Sequence, residues 1–294
     1  MNKLFKIIGF VIFVSFIGNT SANAASSTSL FVNGQAEYDF ITVEGRTMVK
    51  LRSLSDSSWP VLAYDPKTGV VTIQNKDKSK KVQLVAGRKT ATVNGKAIKI
   101  DAAVVNKNGS TYVPIRFISE TLGGYVYYNN KDKRVIVRTP AGQEEYETLM
   151  HGNLTKARHI ALGLEKLTEE APPLHAGEGY NYFYYTFPEG EALRFTLNLA
   201  GYSDAYYEVN NEGLVVIKWQ KDDVAKREWG AKPTFKSYVY FLDEYMHGLF
   251  TYGIVDSQGK DTELGKFSQE NCNNNDCNKL VLKIEGEKRT DRRE

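Results

Sequence analysis

The feature that most constrains this chain is an internal repeat with an offset of 64 residues. A stretch beginning at Gly45 reads Gly-Arg-Thr-Met-Val-Lys-Leu-Arg, and one beginning at Gly109 reads Gly-Ser-Thr-Tyr-Val-Pro-Ile-Arg. The offset holds without a gap from residues 45–73 to residues 109–137. Self-similarity at a fixed spacing indicates a repeated supersecondary unit, so two copies of one unit are predicted here. Matched positions include Arg52/Arg116, Ser55/Ser119, Tyr64/Tyr128 and Val71/Val135.

Turn signals predict hairpins at the start and end of each copy. Asn33-Gly34 and Asn94-Gly95 lie between apolar segments, and both residue types tolerate the positive φ angles of a type I′ turn. Turn residues at 65–69 and 129–133 separate further strand-like segments. Alternating segments at residues 81–85 and 97–100 add strands between the copies.

A short helix is predicted after the central strand of each copy. In the second copy Pro114 suits a first helical turn, and Gly123 with Gly124 marks the helix end. In the first copy, residues 57–60 replace that ending and include Pro60, so a shorter or distorted turn is expected there. Strands with one short helix per copy indicate an α+β unit with an antiparallel sheet.

These motifs resemble the copper amine oxidase N-terminal-like domain, also called the stalk domain. The resemblance covers about residues 30–139 and is most specific in the second copy, which reads Thr-Tyr-Val-Pro-Ile-Arg-Phe-Ile-Ser-Glu-Thr-Leu-Gly-Gly. The first copy departs from the family at Lys50, where proline is typical. The resemblance implies an exported protein of a Gram-positive bacterium, because this module is frequent in such proteins.

The resemblance does not imply copper chemistry. In true amine oxidases this module is a peripheral stalk, and a separate domain carries the histidine ligands and a cofactor tyrosine within Asn-Tyr-Asp/Glu. Here Asn181-Tyr182 is followed by Phe183, and the histidines are scattered, so no cofactor and no metal site is expected. The histidines are His151, His159, His175 and His247.

The N-terminus has the pattern of a secretory signal peptide over residues 1–24. Lys3 and Lys6 precede an apolar run at residues 7–17, and a small-x-small site predicts cleavage after Ala24. That run is shorter than the roughly 20 apolar residues of a membrane anchor. The expected localisation is therefore secreted or cell-wall-associated, with no membrane span in the mature chain.

The net charge and the cysteine content limit the kinds of partner and site that are expected. A net charge of +3, with acidic and basic residues interspersed, argues against a nucleic-acid partner. Cys272 and Cys277 are the two cysteines, and in an oxidising compartment a disulfide between them is favoured over a metal site. The oligomeric state is left open.

The second half is predicted to be a separate α+β domain over residues 143–286, a helix plus an antiparallel β-meander. Residues 140–142 are interpreted as a linker, residues 144–150 as helical, and Asn153 as the cap of a further helix. A charged tail follows at residues 287–294. Period-two alternation predicts strands at 180–187, 193–199, 205–209, 214–219, 237–242, 249–255 and 279–284.

No catalytic residue is predicted in either half. Available acids lie on turns and edges, and no spacing singles out a pair that a glycosidase would need. They are Glu189, Glu191, Asp204, Glu208, Asp243 and Glu244. The eighteen tyrosines have two interpretations. Exposed rings would stack on sugars or anchor peptides, whereas cover over both sheet faces, or simply the strand preference of tyrosine, would leave no binding surface. The candidate aromatic surface is Tyr180, Tyr182, Tyr184, Tyr206 and Tyr207.

The leading hypothesis is a secreted or wall-associated, non-catalytic interaction protein that binds a cell-wall polymer or another exported protein. Two alternatives stay open. One is a wall-acting hydrolase with an unrecognised carboxylate site. The other is a regulator or inhibitor of another exported enzyme.

Overall fold

A computed structural model describes residues 28–56, 61–168, 171–174, 182–244, 246–268 and 281–293. The predicted signal peptide, both cysteines and Tyr180 lie outside these ranges. Within them the chain is mostly β-sheet with three α-helices, which confirms the α+β class. None of the helices in these ranges is long and apolar enough to cross a bilayer.

The described residues of the N-terminal part form thirteen strands, and their tight turns follow from residues that accept positive φ. Asn33 has φ 51° and Gly34 has φ 75°, and Asn94 with Gly95 repeats the arrangement, so both predicted Asn-Gly turns are confirmed. The strands are β1 (Ser29–Val32), β2 (Gln35–Glu37), β3 (Phe40–Val43), β4 (Arg46–Lys50), β5 (Val61–Asp65), β6 (Val70–Gln74), β7 (Lys81–Val85), β8 (Thr90–Val93), β9 (Lys96–Lys99), β10 (Val105–Lys107), β11 (Ser110–Pro114), β12 (Tyr125–Asn129) and β13 (Arg134–Arg138).

These strands form three sheets, in the orders β12-β13-β1-β2, β10-β11-β4-β3 and β5-β6-β7-β8-β9. The pairs are antiparallel except that β1 runs parallel to β13. In the second sheet Val49 of β4 stands opposite Val113 of β11, so two positions separated by the 64-residue offset face each other. A shared core, rich in Val, Ile and Leu, joins the sheets.

The two helix predictions for this part have different outcomes. After β4 the chain makes only a four-residue 3-10 turn, Leu51–Leu54. After β11 it forms α1 (Ile115–Leu122), which ends at Gly123 with φ 87°. The shorter first turn agrees with the expectation. It buries Leu51 and Leu54, whereas α1 buries four residues along one face.

Residues 140–142 are not a linker. Helix α2 (Pro140–His151) starts directly after β13, and the Thr139 side chain caps it by accepting a 3.2 Å hydrogen bond from the Gly142 amide. Proline suits this first position because its missing N–H would have no partner there. A second helix, α3 (Leu154–Gly163), is capped by Asn153 as predicted.

Where the C-terminal part is described, it forms one nine-stranded sheet with α2 and α3 packed on one face. Its order is β14-β18-β17-β16-β15-β20-β21-β22, with β19 beside β18, and only the β14-β18 pair is parallel. The strands are β14 (Lys166–Leu167), β15 (Phe183–Pro188), β16 (Arg194–Leu199), β17 (Ser203–Val209), β18 (Val215–Asp222), β19 (Arg227–Gly230), β20 (Tyr238–Glu244), β21 (Leu249–Val255) and β22 (Asp261–Ser268).

The last strand prediction, for residues 279–284, is wrong in the part that the structure describes. Residues 281–284 form no ladder, and the buried side chains are Val281 and Ile284. That spacing of three does not match the alternation of a strand. The charged stretch beyond residue 286 is docked, since Arg289 donates hydrogen bonds to the carbonyl oxygens of Leu149 (2.5 Å) and Gly152 (3.0 Å) at the end of α2.

The two parts meet through the outer face of β1 and β13. Phe31 and Ile136 point away from the N-terminal core and pack on Leu214 of the C-terminal part. We call these three residues the junction cluster. Because neighbouring side chains on one strand point to opposite faces, β1 and β13 serve both packing layers at once.

Candidate functional site

The predicted aromatic surface is not exposed at Tyr206 and Tyr207. Each is only 6% exposed. Tyr207 stacks on Phe195 at 5.2 Å on the core face, while Tyr206 meets Phe235 at 5.9 Å on the other face. Burial raises the pKa of Tyr207 to about 12. The exposure prediction fails here because both faces of this sheet are covered, so alternation leaves neither ring in solvent.

The other predicted tyrosines contribute little free surface. Tyr182 and Tyr184 are half-buried. The ring of Tyr184 stacks on Tyr240 at 5.7 Å, and burial raises the Tyr184 pKa above its usual value. Tyr180 lies outside the described residues. These positions do not form one open aromatic face.

Two tyrosines that the sequence reasoning passed over are exposed instead. Tyr125 and Tyr127 on β12 are 42% and 44% exposed. Their neighbours Val126 and Tyr128 pack against the N-terminal core, so Tyr125 and Tyr127 share the opposite face. Strand β12 is at the edge of its sheet, which leaves one side of this pair open. We call Tyr125 and Tyr127 the tyrosine pair.

A buried arginine fixes the inner end of the tyrosine pair. The guanidinium carbon of Arg138 lies 5.0 Å from the centre of the Tyr125 ring and 3.5 Å from that of Tyr146. Arg138 is 6% exposed, and desolvation lowers its pKa. It also donates a 2.8 Å hydrogen bond to the carbonyl oxygen of Glu212. The ring of Tyr125 therefore contacts the Arg138 guanidinium, which residues of both parts of the chain hold in place.

Carboxylates at the junction bind both side chains and backbone of the neighbouring strands. Glu212 accepts hydrogen bonds from Arg134 Nε at 2.8 Å and from Asn129 Nδ2 at 2.5 Å. Glu165 accepts from the amide of Ala36 at 2.6 Å. Charge-assisted bonds of this kind are stronger than neutral ones. The tyrosine pair thus lies beside a junction that is stabilised by several hydrogen bonds to carboxylates.

Lys166 at this junction is expected to make the free energy of unfolding depend on pH. It donates to carbonyl oxygens of Leu162 and Leu164 at the end of α3, and burial lowers its pKa from 10.5 to about 8. Between those values the unfolded chain binds the proton more tightly than the folded chain does, so the Lys166 contribution to the free energy of unfolding rises with pH.

We therefore expect the stability of the wild type relative to Lys166→Met to increase by on the order of 1 to 3 kcal/mol between pH 8 and pH 10. Urea unfolding of both proteins at several pH values measures the difference. A difference that stays flat across this window would contradict the assignment.

Three of the six acids considered for catalysis have local structural partners that account for their positions. Asp204 accepts a 2.7 Å hydrogen bond from Asn198, Glu208 accepts one of 2.6 Å from the Tyr206 hydroxyl, and Glu191 pairs with Arg194 at 2.5 Å. In the described ranges no three His, Cys, Asp or Glu side chains are grouped to hold a metal ion. These carboxylates therefore stabilise turns and strand edges.

Comparison with protein families identifies the first part. Residues 31–137 match the family model of the copper amine oxidase N-terminal domain. This stretch is similar to that domain, and we refer to it by the name of the family. The match covers less than half of the chain, and no other family model matches. Comparisons with curated proteins and with solved structures found no match.

The copper amine oxidase N-terminal domain is a non-catalytic module of those enzymes. Copper in proteins is usually held by imidazole or thiolate groups, and residues 31–137 contain neither histidine nor cysteine. The residues of this domain therefore do not fit a copper ion. The tyrosine pair belongs to this domain, while its supporting arginine, Arg138, follows the last matched residue.

Proposed function

We propose that this chain is an exported, non-catalytic binding protein that is held at the cell wall of a Gram-positive bacterium. In this proposal the copper amine oxidase N-terminal domain binds wall polysaccharide through the tyrosine pair. The observation that carries the proposal is the exposure of two rings on one face of an edge strand, with Arg138 holding the inner ring.

The chemistry of the tyrosine pair suits a sugar chain. Residues two apart on a strand are separated by about 6.5 to 7 Å, so the two rings form an extended apolar strip along β12. A tyrosine combines an apolar face with a hydroxyl group that can exchange hydrogen bonds with sugar hydroxyls. Because its backbone neighbours are fixed in the ladder with β13, little ordering is needed when a ligand binds.

Removing both rings is expected to weaken binding to purified cell walls about tenfold or more, because each buried aromatic contact contributes roughly 1 kcal/mol. The measurement is a pull-down titration of the full chain with Tyr125→Ala/Tyr127→Ala. The matched control is Tyr38→Ala, which removes another exposed ring, 82% exposed, from a different strand end. Equal losses from both changes would refute a specific role for the tyrosine pair.

The alternative functions have separate tests. Zymography on cell-wall substrate would detect a hydrolase, and a clearing band lost on substitution of one acid would overturn the non-catalytic proposal. Co-purification from the producing cell would detect an exported enzyme that this chain regulates or inhibits. Wall binding that depends on the tyrosine pair, with no clearing band, supports the proposal over both alternatives.

A further inference from the structure

A second site on the same domain is independent of the tyrosine pair. Each end of the β4-β11 pair carries a cleft, and both clefts are built from both copies of the repeat. The polar residues that line the first corner cleft are Lys50, Arg52, Ser55, Tyr64, Ser110 and Thr111. The second corner cleft is lined by Arg46, Asp101, Arg116 and Tyr128, among others.

The two clefts are related by the 64-residue offset. Arg52 and Tyr64 of the first correspond to Arg116 and Tyr128 of the second, and Ser110 of the first corresponds to Arg46 of the second. The facing pair Val49 and Val113 lies at the centre of this relation. Comparing the clefts therefore shows which side chains contact one another within the second cleft, while the matching side chains of the first cleft can contact a ligand.

The second corner cleft is filled by its own side chains. Arg116 lies over the ring of Tyr128 at 4.6 Å and pairs with Glu120 at 3.8 Å. Arg46 forms an ion pair with Asp101. The remaining volume is about 130 Å³. Both cations of this cleft thus have anionic or aromatic partners.

The first corner cleft is open, with a volume of about 470 Å³. Serine at position 110 leaves the space that Arg46 occupies in the other cleft. Arg52 is exposed, and among the described residues it makes no ion pair and no ring stack. No acidic side chain is among the described residues that line this cleft. Within the part of the chain that the structure describes, no anionic side chain therefore compensates the charge of Arg52, which lines an open volume.

The remaining polar groups of the first corner cleft are hydrogen-bond donors. Tyr64 accepts a 2.6 Å hydrogen bond from Asn106 Nδ2, which leaves its own hydroxyl proton free to donate. Ser110 and Thr111 add two hydroxyl groups. The charge of Lys50 is balanced by an ion pair with Asp39, so the positive potential of the cleft comes from Arg52.

We infer that the first corner cleft binds an oxyanion, the phosphate or carboxylate group of a ligand. A guanidinium binds such groups through two parallel N–H donors, and the hydroxyl groups that line the same cleft can donate further hydrogen bonds to the anion. The second corner cleft does not bind, because its arginines are already engaged. This inference does not depend on the proposed sugar binding, since the residues and the ligand chemistry differ.

The test is an NMR titration of the full chain with sodium phosphate and, separately, with sodium acetate at constant ionic strength. We expect saturable shifts of the amides of Ser110 and Thr111, and the anion with the larger shifts identifies the ligand chemistry. Arg52→Gln should raise the dissociation constant about tenfold or more, because glutamine lacks the positive charge and the paired N–H donors of the guanidinium. Arg116→Gln is the matched control and should change it less than about twofold.

A second variant separates binding from folding. Ser110→Arg should place in the first corner cleft the side chain found in the second, and it should abolish the saturable shifts while the chain stays folded. The inference is overturned if neither anion gives saturable shifts at these amides. It is also overturned if Arg52→Gln and Arg116→Gln weaken binding equally.

Discussion

Replacing Glu287 with alanine is expected to lower the free energy of unfolding by about 3 to 5 kcal/mol. The side chains of Arg158 and Glu287 are 1% and 4% exposed, and they form a two-bond ion pair with N–O distances of 2.6 and 2.8 Å. Removing the carboxylate leaves a guanidinium buried without its counter-charge. It also removes the acceptor of the Gly190 amide, which lies 2.7 Å from Glu287 Oε1.

Urea unfolding measures this loss, and a neighbouring acid supplies the control. Glu285 is 84% exposed and pairs with Lys283, so Glu285→Ala should cost less than about 1 kcal/mol. The double variant Arg158→Met/Glu287→Leu should recover most of the stability, because an apolar pair of similar size needs no charge compensation. A loss for Glu287→Ala no larger than that for Glu285→Ala would show that the C-terminal stretch is not anchored by this pair.

Introducing a charge into the junction cluster with Leu214→Asp is expected to cost at least about 3 kcal/mol. Leu214 is 1% exposed and contacts Phe31 and Ile136 across the two parts. A carboxylate there has no cation at hydrogen-bond distance to compensate it within the cluster. The two parts should therefore separate at the junction while each keeps its own core.

Hydrogen exchange combined with urea unfolding distinguishes separation from general unfolding. In Leu214→Asp, protection should fall in β1 and β14 and persist in β7 and β20, which lie inside the two separate cores. Val224→Asp, at a position that is 51% exposed, is the matched control and should change stability by less than about 0.5 kcal/mol. Uniform loss of protection in Leu214→Asp would mean that the two cores do not fold independently.

Local sequence signals predicted local structure well in this protein. The Asn-Gly turns, the strand β7 and the helix stop at Gly123 follow from residue types whose backbone preferences are strong. The offset of 64 residues also aligned Arg52 with Arg116 before their different surroundings were known. The offset did not predict that Ser110, which matches Arg46, leaves open volume in the first corner cleft. That volume depends on side chains from both copies of the repeat.

The tyrosines show where sequence reasoning stopped. Alternation placed Tyr125 and Tyr127 on one face and Val126 with Tyr128 on the other, but it did not say which face would be covered. For β17 the alternation did not decide whether one face of the strand or both faces would be covered. Covering is decided by segments distant in sequence, such as Phe235 against Tyr206. The same limitation hid the docking of Glu287, whose partner is 129 residues away.

The parallel pairing of β1 with β13 has a mechanical consequence. Ser29 stands beside Arg134 and Val32 beside Val137, so the first strand of the domain and its last strand lie side by side and point the same way. Tension that pulls the chain at residues 28 and 139 draws these two strands past each other along their length. The hydrogen bonds between them then share the load instead of opening one after another. A pulling force applied at residues 28 and 139 therefore loads this strand pair in shear and not in peeling.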